Sequence, residues 1–466
     1  MAAFQIPEAF SQQMKAYFGP EAYAVFEKAL DAETKTSIRL NPFKPCESLN
    51  NLPSVAWNPD GRVLEKRPIF TLDPLFHAGA YYVQESSSMF LGHILGSIEA
   101  PKDGIYLDLS AAPGGKATLL GSYLGDEGFL VANEVIKARA NILKENIVKC
   151  GLGNTMVTQN DPEHFGELHG FFDLVLVDAP CSGEGMFRKD PEARDEWSLD
   201  HVQLCALRQE RIMDQAAALV KAGGYLIYST CTFNERENEE VVKYVVSEFA
   251  YEPVRIPLQP EWNIVESKIE TDEGQFFGYR FFPHLVPGEG LFVTVLKRSD
   301  DAEVLEPRRV KDFKHPFLKS VSNAEAALIQ SQVDLPENSV FYKLQESVFW
   351  LNSNFRQHFE FLSRYLNIKY FGVELGQFSK SQLIPSHEWA MSIFPKTGFP
   401  TFALDIKQAL QFLRREEFSL SEDLPEGWIL ITYANLPLGW IKNLGNRINN
   451  YYPKEWRIRM QGGEDA

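Results

Sequence analysis

From Gly104 to about Lys297, short continuous apolar runs alternate with longer stretches in which apolar residues recur every three or four positions. Few folds accept that alternation. Strands so short and so uniformly apolar must be covered on both faces, and the amphipathic stretches between them are helices that supply the cover. The pattern therefore implies a parallel α/β sheet. Strands are expected at 105–109, 129–133, 156–159, 174–177 and 225–228, with helices over 135–149 and 202–220. A turn, Ala222-Gly223-Gly224, is expected just before the fifth strand. Two later runs, 278–282 and 291–296, are joined by 283–290 and read as a hairpin closing the sheet edge.

The flanks behave differently. Residues 1–100 open helical, hold a strand-like run at 37–41 ended by Pro42, and become aromatic and turn-rich over 71–83. Residues 299–316 combine charge and proline and read as a linker. Beyond them, 317–466 is too long for a tail and breaks between Lys396 and Pro400. The expected domains are 1–100, 101–298, 312–395 and 396–466. No run approaches the roughly 18 apolar residues of a membrane span, and the first residues lack the basic and apolar regions of a secretory signal. The five cysteines, Cys46, Cys150, Cys181, Cys205 and Cys231, form no CxxC pair. That fits free thiols in a reducing cytoplasm and implies no metal site. No dimer seam is evident, so a monomer is expected. A formal net charge of -17 weighs against a nucleic-acid partner, yet a basic patch on an acidic body can still grip one.

The segment Asp108-Leu109-Ser110-Ala111-Ala112-Pro113-Gly114-Gly115-Lys116 follows a strand and opens a helix. Its small residues let backbone pass close to a ligand, and the helix start offers unpaired N–H groups. It is neither a GxGxxG dinucleotide loop nor a phosphate-cradling P-loop. Such a loop suits S-adenosylmethionine, which carries a carboxylate, a ribose and an adenine but no phosphate. Glu134 ends the second strand about twenty residues on, where a carboxylate can accept from ribose hydroxyls, and Asp161 follows the third, within reach of an adenine amino group. The plain alternative is that Glu134 and Asp161 cap helices or turns.

Asp178-Ala179-Pro180-Cys181-Ser182-Gly183 ends the fourth strand and Ser229-Thr230-Cys231-Thr232 the fifth. Cys46, Cys150 and Cys205 read as small packed hydrophobes. Cys181 and Cys231 stand at the functional edge of the sheet, where two neighbouring strands would bring both thiols beside the cofactor. The C5 carbon of cytosine is a poor nucleophile. A thiolate adding to C6 breaks the ring's conjugation and makes C5 able to take a methyl group, so covalent catalysis divides one hard step into easier ones. Asp178 is placed to stabilise charge at N3. An amino-group methyltransferase would need an Asn-Pro-Pro-Tyr type of clamp in place of 178–181, and a Cys-His hydrolase would need a histidine partner that His164 and His169 do not supply. The residues alone leave Cys181 and Cys231 equal candidates for nucleophile.

At these segments the chain resembles the RNA cytosine-5 methyltransferase family, which includes the bacterial 16S rRNA enzymes and the eukaryotic Nop2/Sun proteins. DLSAAPGGK looks like the family's cofactor loop, DAPCSGEGMFRKDP like its fourth motif and YSTCTFNERENE like its sixth. The resemblance implies a Rossmann-like class I methyltransferase domain, Cys231 as nucleophile, and Cys181 as the residue assisting release of methylated RNA. It implies S-adenosyl-L-methionine contacts from Ala111, Ala112, Pro113, Gly114, Gly115, Lys116, Glu134, Asp161 and Asp178. Ser110 stands where many members carry cysteine and Ala117 where many carry threonine, and neither change removes a reacting group.

The segments 371–376 and 438–453 resemble the F type of the rRNA enzymes, in which an RNA-binding module and a PUA-like domain follow the catalytic one. That likeness implies 16S rRNA as partner, within the small ribosomal subunit. Lys442, Arg447, Lys454, Arg457 and Arg459 lie beside Trp440, Tyr451 and Tyr452, a mixture suited to phosphate contact and base stacking. Arg39, Lys44, Arg62, Lys66 and Arg67 offer a second candidate RNA surface in the N-terminal region. Alternatives from outside this reading are a tRNA cytosine-5 methyltransferase and a catalytically silent RNA-binding assembly factor.

Overall fold

A computed structural model describes residues 5–301, 315–379, 382–418, 420 and 424–462. Helices α1 (Glu8–Phe18) and α2 (Pro20–Leu30) open it, the second with proline in its first turn, where no backbone donor is lost. Their inward faces carry Phe10, Tyr23 and Phe26, and Phe10 packs edge-on against Phe187 and Trp197 at 5.0 and 5.8 Å between ring centres. A small antiparallel sheet follows, with β1 (Thr36–Leu40) between β2 (Asn58–Leu64) and β3 (Tyr81–Val83). The strand expected at 37–41 is β1.

The central region is built on parallel strands β4 (Ile105–Asp108), β5 (Phe129–Asn133), β6 (Thr155–Thr158), β7 (Phe172–Asp178) and β8 (Val220–Thr230). Helices α3 (Gly115–Leu124), α4 (Lys137–Cys150) and α5 (Leu199–Leu219) cover them. Strands β4 to β7 are buried almost throughout and are mostly apolar, with polar residues such as Asp108, Asn133 and Thr158 at their carboxyl ends. Spatially the order runs β8-β7-β4-β5-β6, so the chain builds outward from β4 to one side and then returns to build the other. The reversal between β4 and β7 leaves a crevice at the carboxyl ends of the strands, the place where open sheets of this kind bind ligands. This is the Rossmann-like fold expected.

Two details differ from expectation. Val220 pairs with Phe172 and Tyr225 with Leu174, so residues 221–224 bulge out within β8 instead of forming a turn before it. Gly223, with φ at 73°, makes that bulge possible. Past β8 the sheet continues antiparallel through β9 (Val265–Thr271), β10 (Gly274–Phe281) and β11 (Leu291–Arg298), with β11 beside β8. The expected hairpin is β10–β11, but β9 forms the edge.

Most of the expected linker, residues 302–314, lies outside the described residues. Beyond it, β12 (Ile368–Phe371) pairs antiparallel with β6 and extends the central sheet from its other side, so part of the 312–395 stretch enters that sheet. The rest of the stretch forms its own antiparallel sheet around Ser339–Leu344, Ser347–Asn352 and Val373–Ser379. A final four-stranded sheet holds Gly427–Tyr433 and Leu436–Asn443 and is backed by helix Ile406–Arg414. No helix among the described residues is long and apolar enough to cross a membrane.

Candidate active site

The loop after β4 is pinned from both sides. Leu109 N donates to Leu176 O at 2.9 Å and Ala111 N to Asn133 O at 2.8 Å. From α4, Arg139 and Asn146 donate to the carbonyls of Ala112 (2.8 Å) and Pro113 (2.7 Å). Gly114 then takes a φ of 122°, which a side chain would strain, and Gly115 begins α3 with its amide end facing the crevice. A Cβ on Gly115 would stand 3.3 Å from Tyr82, so the N-terminal region closes tightly over the loop.

Three ionisable groups lie beneath it. Asp178, the last residue of β7, accepts from Lys116 Nζ at 2.8 Å and from Ser229 Oγ at 2.7 Å. Asp108, the last residue of β4, is 1% exposed, and neither of its carboxyl oxygens has a hydrogen-bond partner. Burial pushes its pKa up to about 8; Asp178 adds to the shift and Lys116 opposes it. These groups line a cleft of about 330 Å³ with Ser110, Ala111, Ala112, Pro113, Gly115 and Cys231. A glycine cradle at a helix start and an orphaned buried carboxyl fit a ligand that brings its own N–H donors and a carboxylate. S-adenosylmethionine is such a ligand.

The two cysteine loops meet beside this cleft because β7 and β8 are neighbours, with Asp178 opposite Ser229. Cys181 Sγ and Cys231 Sγ are 3.1 Å apart, and both thiols are free and half-buried. Gly185 N donates to Cys231 O at 2.7 Å, an approach that only glycine permits, since a Cβ there would stand 2.2 Å from that same oxygen. The Cys181 thiol is pushed well up in pKa by its contact with Cys231, then by burial, with Glu237 adding to both. Lys116 lines the same cleft as Cys231, and its ammonium interacts electrostatically with it.

Family models match along the chain. Residues 97–297 match 16S rRNA methyltransferase RsmB/F, residues 6–86 the N-terminal domain of 16S rRNA methyltransferase RsmF, and residues 399–458 the methyltransferase RsmF PUA domain. A relative from Shewanella piezotolerans, ribosomal RNA small subunit methyltransferase F, is 32% identical over 385 residues, covering 81% of this chain and 79% of its own. One of the same name from Vibrio cholerae is 31% identical over 474 residues, covering 97% of each. The chain belongs to this methyltransferase F family. Among solved structures, a methyltransferase homolog protein from Pyrococcus horikoshii superposes with a TM-score of 0.52 at 25% identity, covering 63% of this chain and 96% of that one. NSun6 from the same organism, solved with SFG, gives 0.53 at 21% identity, covering 63% and 99%. The protein is thus a methyltransferase, and its loop and cleft fit S-adenosylmethionine as the methyl donor.

Of the expected site residues, Cys231, Asp178, Lys116, Ala111, Ala112, Pro113 and Gly115 line the cleft, and Gly114 and Cys181 lie in the same two loops. Glu134 and Asp161 do not line it. Glu134 is buried, accepts from Ile136 N at 2.9 Å and faces Arg139 at 3.5 Å; Asp161 caps the short helix Pro162–Leu168 by accepting from Glu163 N at 3.2 Å. Each carboxylate holds its local turn through one oxygen. The cleft also takes in residues not singled out from sequence: Asp108, Tyr82, Gln84 and Ser88 from the N-terminal side, and Lys189 and Glu289 at its mouth. Asp108 carried a readable signal, an acidic residue ending an apolar strand. The others come together only through tertiary contacts.

The expected RNA surfaces need correction. Trp440 and Tyr452 are at most 1% exposed and belong to the C-terminal core, so they cannot stack on a base. Tyr451 remains exposed and packs edge-on to Trp428 at 4.4 Å, with Lys442 over the Trp428 ring. In the N-terminal region Arg39 is buried on Gln84 and Thr118, and Lys44 on the carbonyls of Ala78 and Lys149. Both are structural cations, which leaves Arg62, Lys66 and Arg67 nearer the surface.

Proposed function

We propose that the protein methylates C5 of a cytosine in 16S rRNA through a covalent adduct between Cys231 and C6 of the base. The observation that carries this reading is the pair of free thiols 3.1 Å apart, with Cys231 lining the cleft that also holds Asp178 and Lys116. The relatives named as small-subunit rRNA methyltransferases support the substrate.

Loop 110–116 would hold the cofactor, with Asp108 offering an acceptor to its N–H donors. When bound, S-adenosylmethionine supplies the methyl group as an electrophilic carbon on a sulfonium. Cys231 adds as thiolate to C6, forming the C6–S bond and shifting the electron pair toward C5 and N3. Lys116 lines the same cleft and places a cation there. Asp178, oriented by Lys116 and Ser229, would pass a proton to N3 as negative charge develops there and take it back when the adduct breaks down. After C5 is methylated its proton leaves to a base, the C6–S bond breaks, and Cys231 recovers its thiolate. Cys181 stands closest to assist that release. The target base must leave its stack to reach such a recessed thiol.

A cytoplasmic, monomeric protein acting on 16S rRNA within the small ribosomal subunit completes the proposal; the free cysteines support the compartment. Labelled S-adenosylmethionine with small-subunit rRNA or bulk tRNA tests the substrate, and bisulfite mapping the position. Label in tRNA alone would refute the rRNA assignment. Cys231→Ala should abolish turnover, and Cys181→Ala should trap a protein–RNA adduct. Retained turnover in the first variant would refute the nucleophile.

A further inference from the structure

Each cysteine loop sends a buried carboxylate into the other. Glu184, three residues after Cys181, accepts from Phe233 N and from Trp197 Nε1, both at 2.9 Å. Glu237, on the Cys231 side, accepts from Ser182 N at 2.9 Å, from Ser182 Oγ at 2.5 Å and from Gln209 Nε2 at 3.0 Å. The exchange is reciprocal: the loop bearing one thiol supplies the acceptor that fixes the backbone beside the other. Ser182 Oγ and Thr232 Oγ1, 3.1 Å apart, add a third tie.

These carboxylates are an expensive way to tie two loops. Both are at most 1% exposed, and neither has a cationic partner among the described residues. Burial pushes Glu184 up to about 7 and raises Glu237 as well, each held down in part by the hydrogen bonds it accepts. Neutral amides could close the same turns at lower cost. What carboxylates add is acceptor capacity for several donors at once, and in Glu237 a negative charge that acts on the Cys181 thiol.

We propose that Glu184 and Glu237 are positioning residues for product release, holding the Cys181 thiol against Cys231 so that breakdown of the covalent intermediate stays coupled to methyl transfer. The proposal rests on the reading that Cys231 forms the adduct and Cys181 assists its release. Neither carboxylate lines the cleft, so their effect on the reaction passes through the cysteines.

The test uses the full chain, S-adenosylmethionine and an RNA that the parent methylates. Glu184→Gln and Glu237→Gln keep the side-chain length and remove the charge; Ser182→Ala removes one donor with little disturbance and serves if either glutamine variant fails to fold. Cofactor affinity and the first round of methyl transfer should stay within about 3-fold of the parent, and repeated turnover should fall by about 10-fold or more. A denaturant-resistant protein–RNA adduct should accumulate, a signal that general loosening of the fold would not produce. An adduct level equal to the parent's in the folded variants overturns the proposal, whatever happens to the rate. A Cys231→Ala variant that still turns over would instead overturn the reading beneath it. If that variant is inactive and adduct-free while the carboxylate variants release normally, this inference alone falls.

Discussion

Replacing Asp108 by asparagine should weaken the fold's response to pH by an amount that the structure sets. In the folded chain Asp108 keeps its proton up to about pH 8, whereas an ordinary aspartate loses it near 3.8. Between those values the folded state binds more protons than the unfolded state, so stability falls as pH rises. The slope for one such group is about 1.4 kcal/mol per pH unit, or about 4 kcal/mol between roughly pH 5 and pH 8. Asp108→Asn removes the titration and nothing else that ionises, so the other groups cancel when variant and parent are compared at each pH. The variant should therefore gain on the parent by about 2–4 kcal/mol over that interval, whatever its absolute stability. Urea unfolding without cofactor, at about pH 5 and about pH 8, measures this directly. A difference between the two proteins that stays constant across the interval would refute the argument, because it would mean that Asp108 is ionised in the folded state despite its burial.

Gly185→Ala should push the cysteine loops apart, since the new Cβ would stand 2.2 Å from Cys231 O; a stability loss of about 1–3 kcal/mol should come with loss of turnover, measured by melting and methyl incorporation. Trp440→Ala should cost about 3–5 kcal/mol in unfolding experiments, because the ring is fully buried and its N–H donates to Ser386 O at 2.8 Å. Tyr451→Ala should leave stability nearly unchanged and weaken RNA binding by about 1–3 kcal/mol in a titration, as expected of an exposed stacking ring.

The catalytic sheet was readable because its strands are buried on both faces and so leave an uninterrupted apolar signal. The position of Cys181 and Cys231 at the ends of β7 and β8 followed from the same pattern, and so did the crevice. Other features depend on contacts that periodicity does not encode. The Gly223-Gly224 pair looks like a turn in isolation, and only pairing with β7 turns it into a bulge. Trp440 and Tyr452 carry the composition of a stacking surface, yet one side of that small sheet needs its large rings as core. Arg39 and Lys44 look like surface cations until Gln84, Thr118 and two carbonyls are seen to satisfy them. Glu184 and Glu237 gave no sign of burial, because a carboxylate in a polar motif reads as solvated.

The pairing of Ile368–Phe371 with Thr155–Thr158 places a strand from beyond the linker on the outer flank of the cofactor sheet. Without it, Thr155–Thr158 would present a row of unpaired amides and carbonyls, the kind of surface on which sheets add foreign strands. Any version of the enzyme shortened at residues 302–314 would carry that bare flank. The segment after the linker therefore covers a sheet edge as well as extending the sheet, and truncations that keep every reacting residue should self-associate more readily than the full chain.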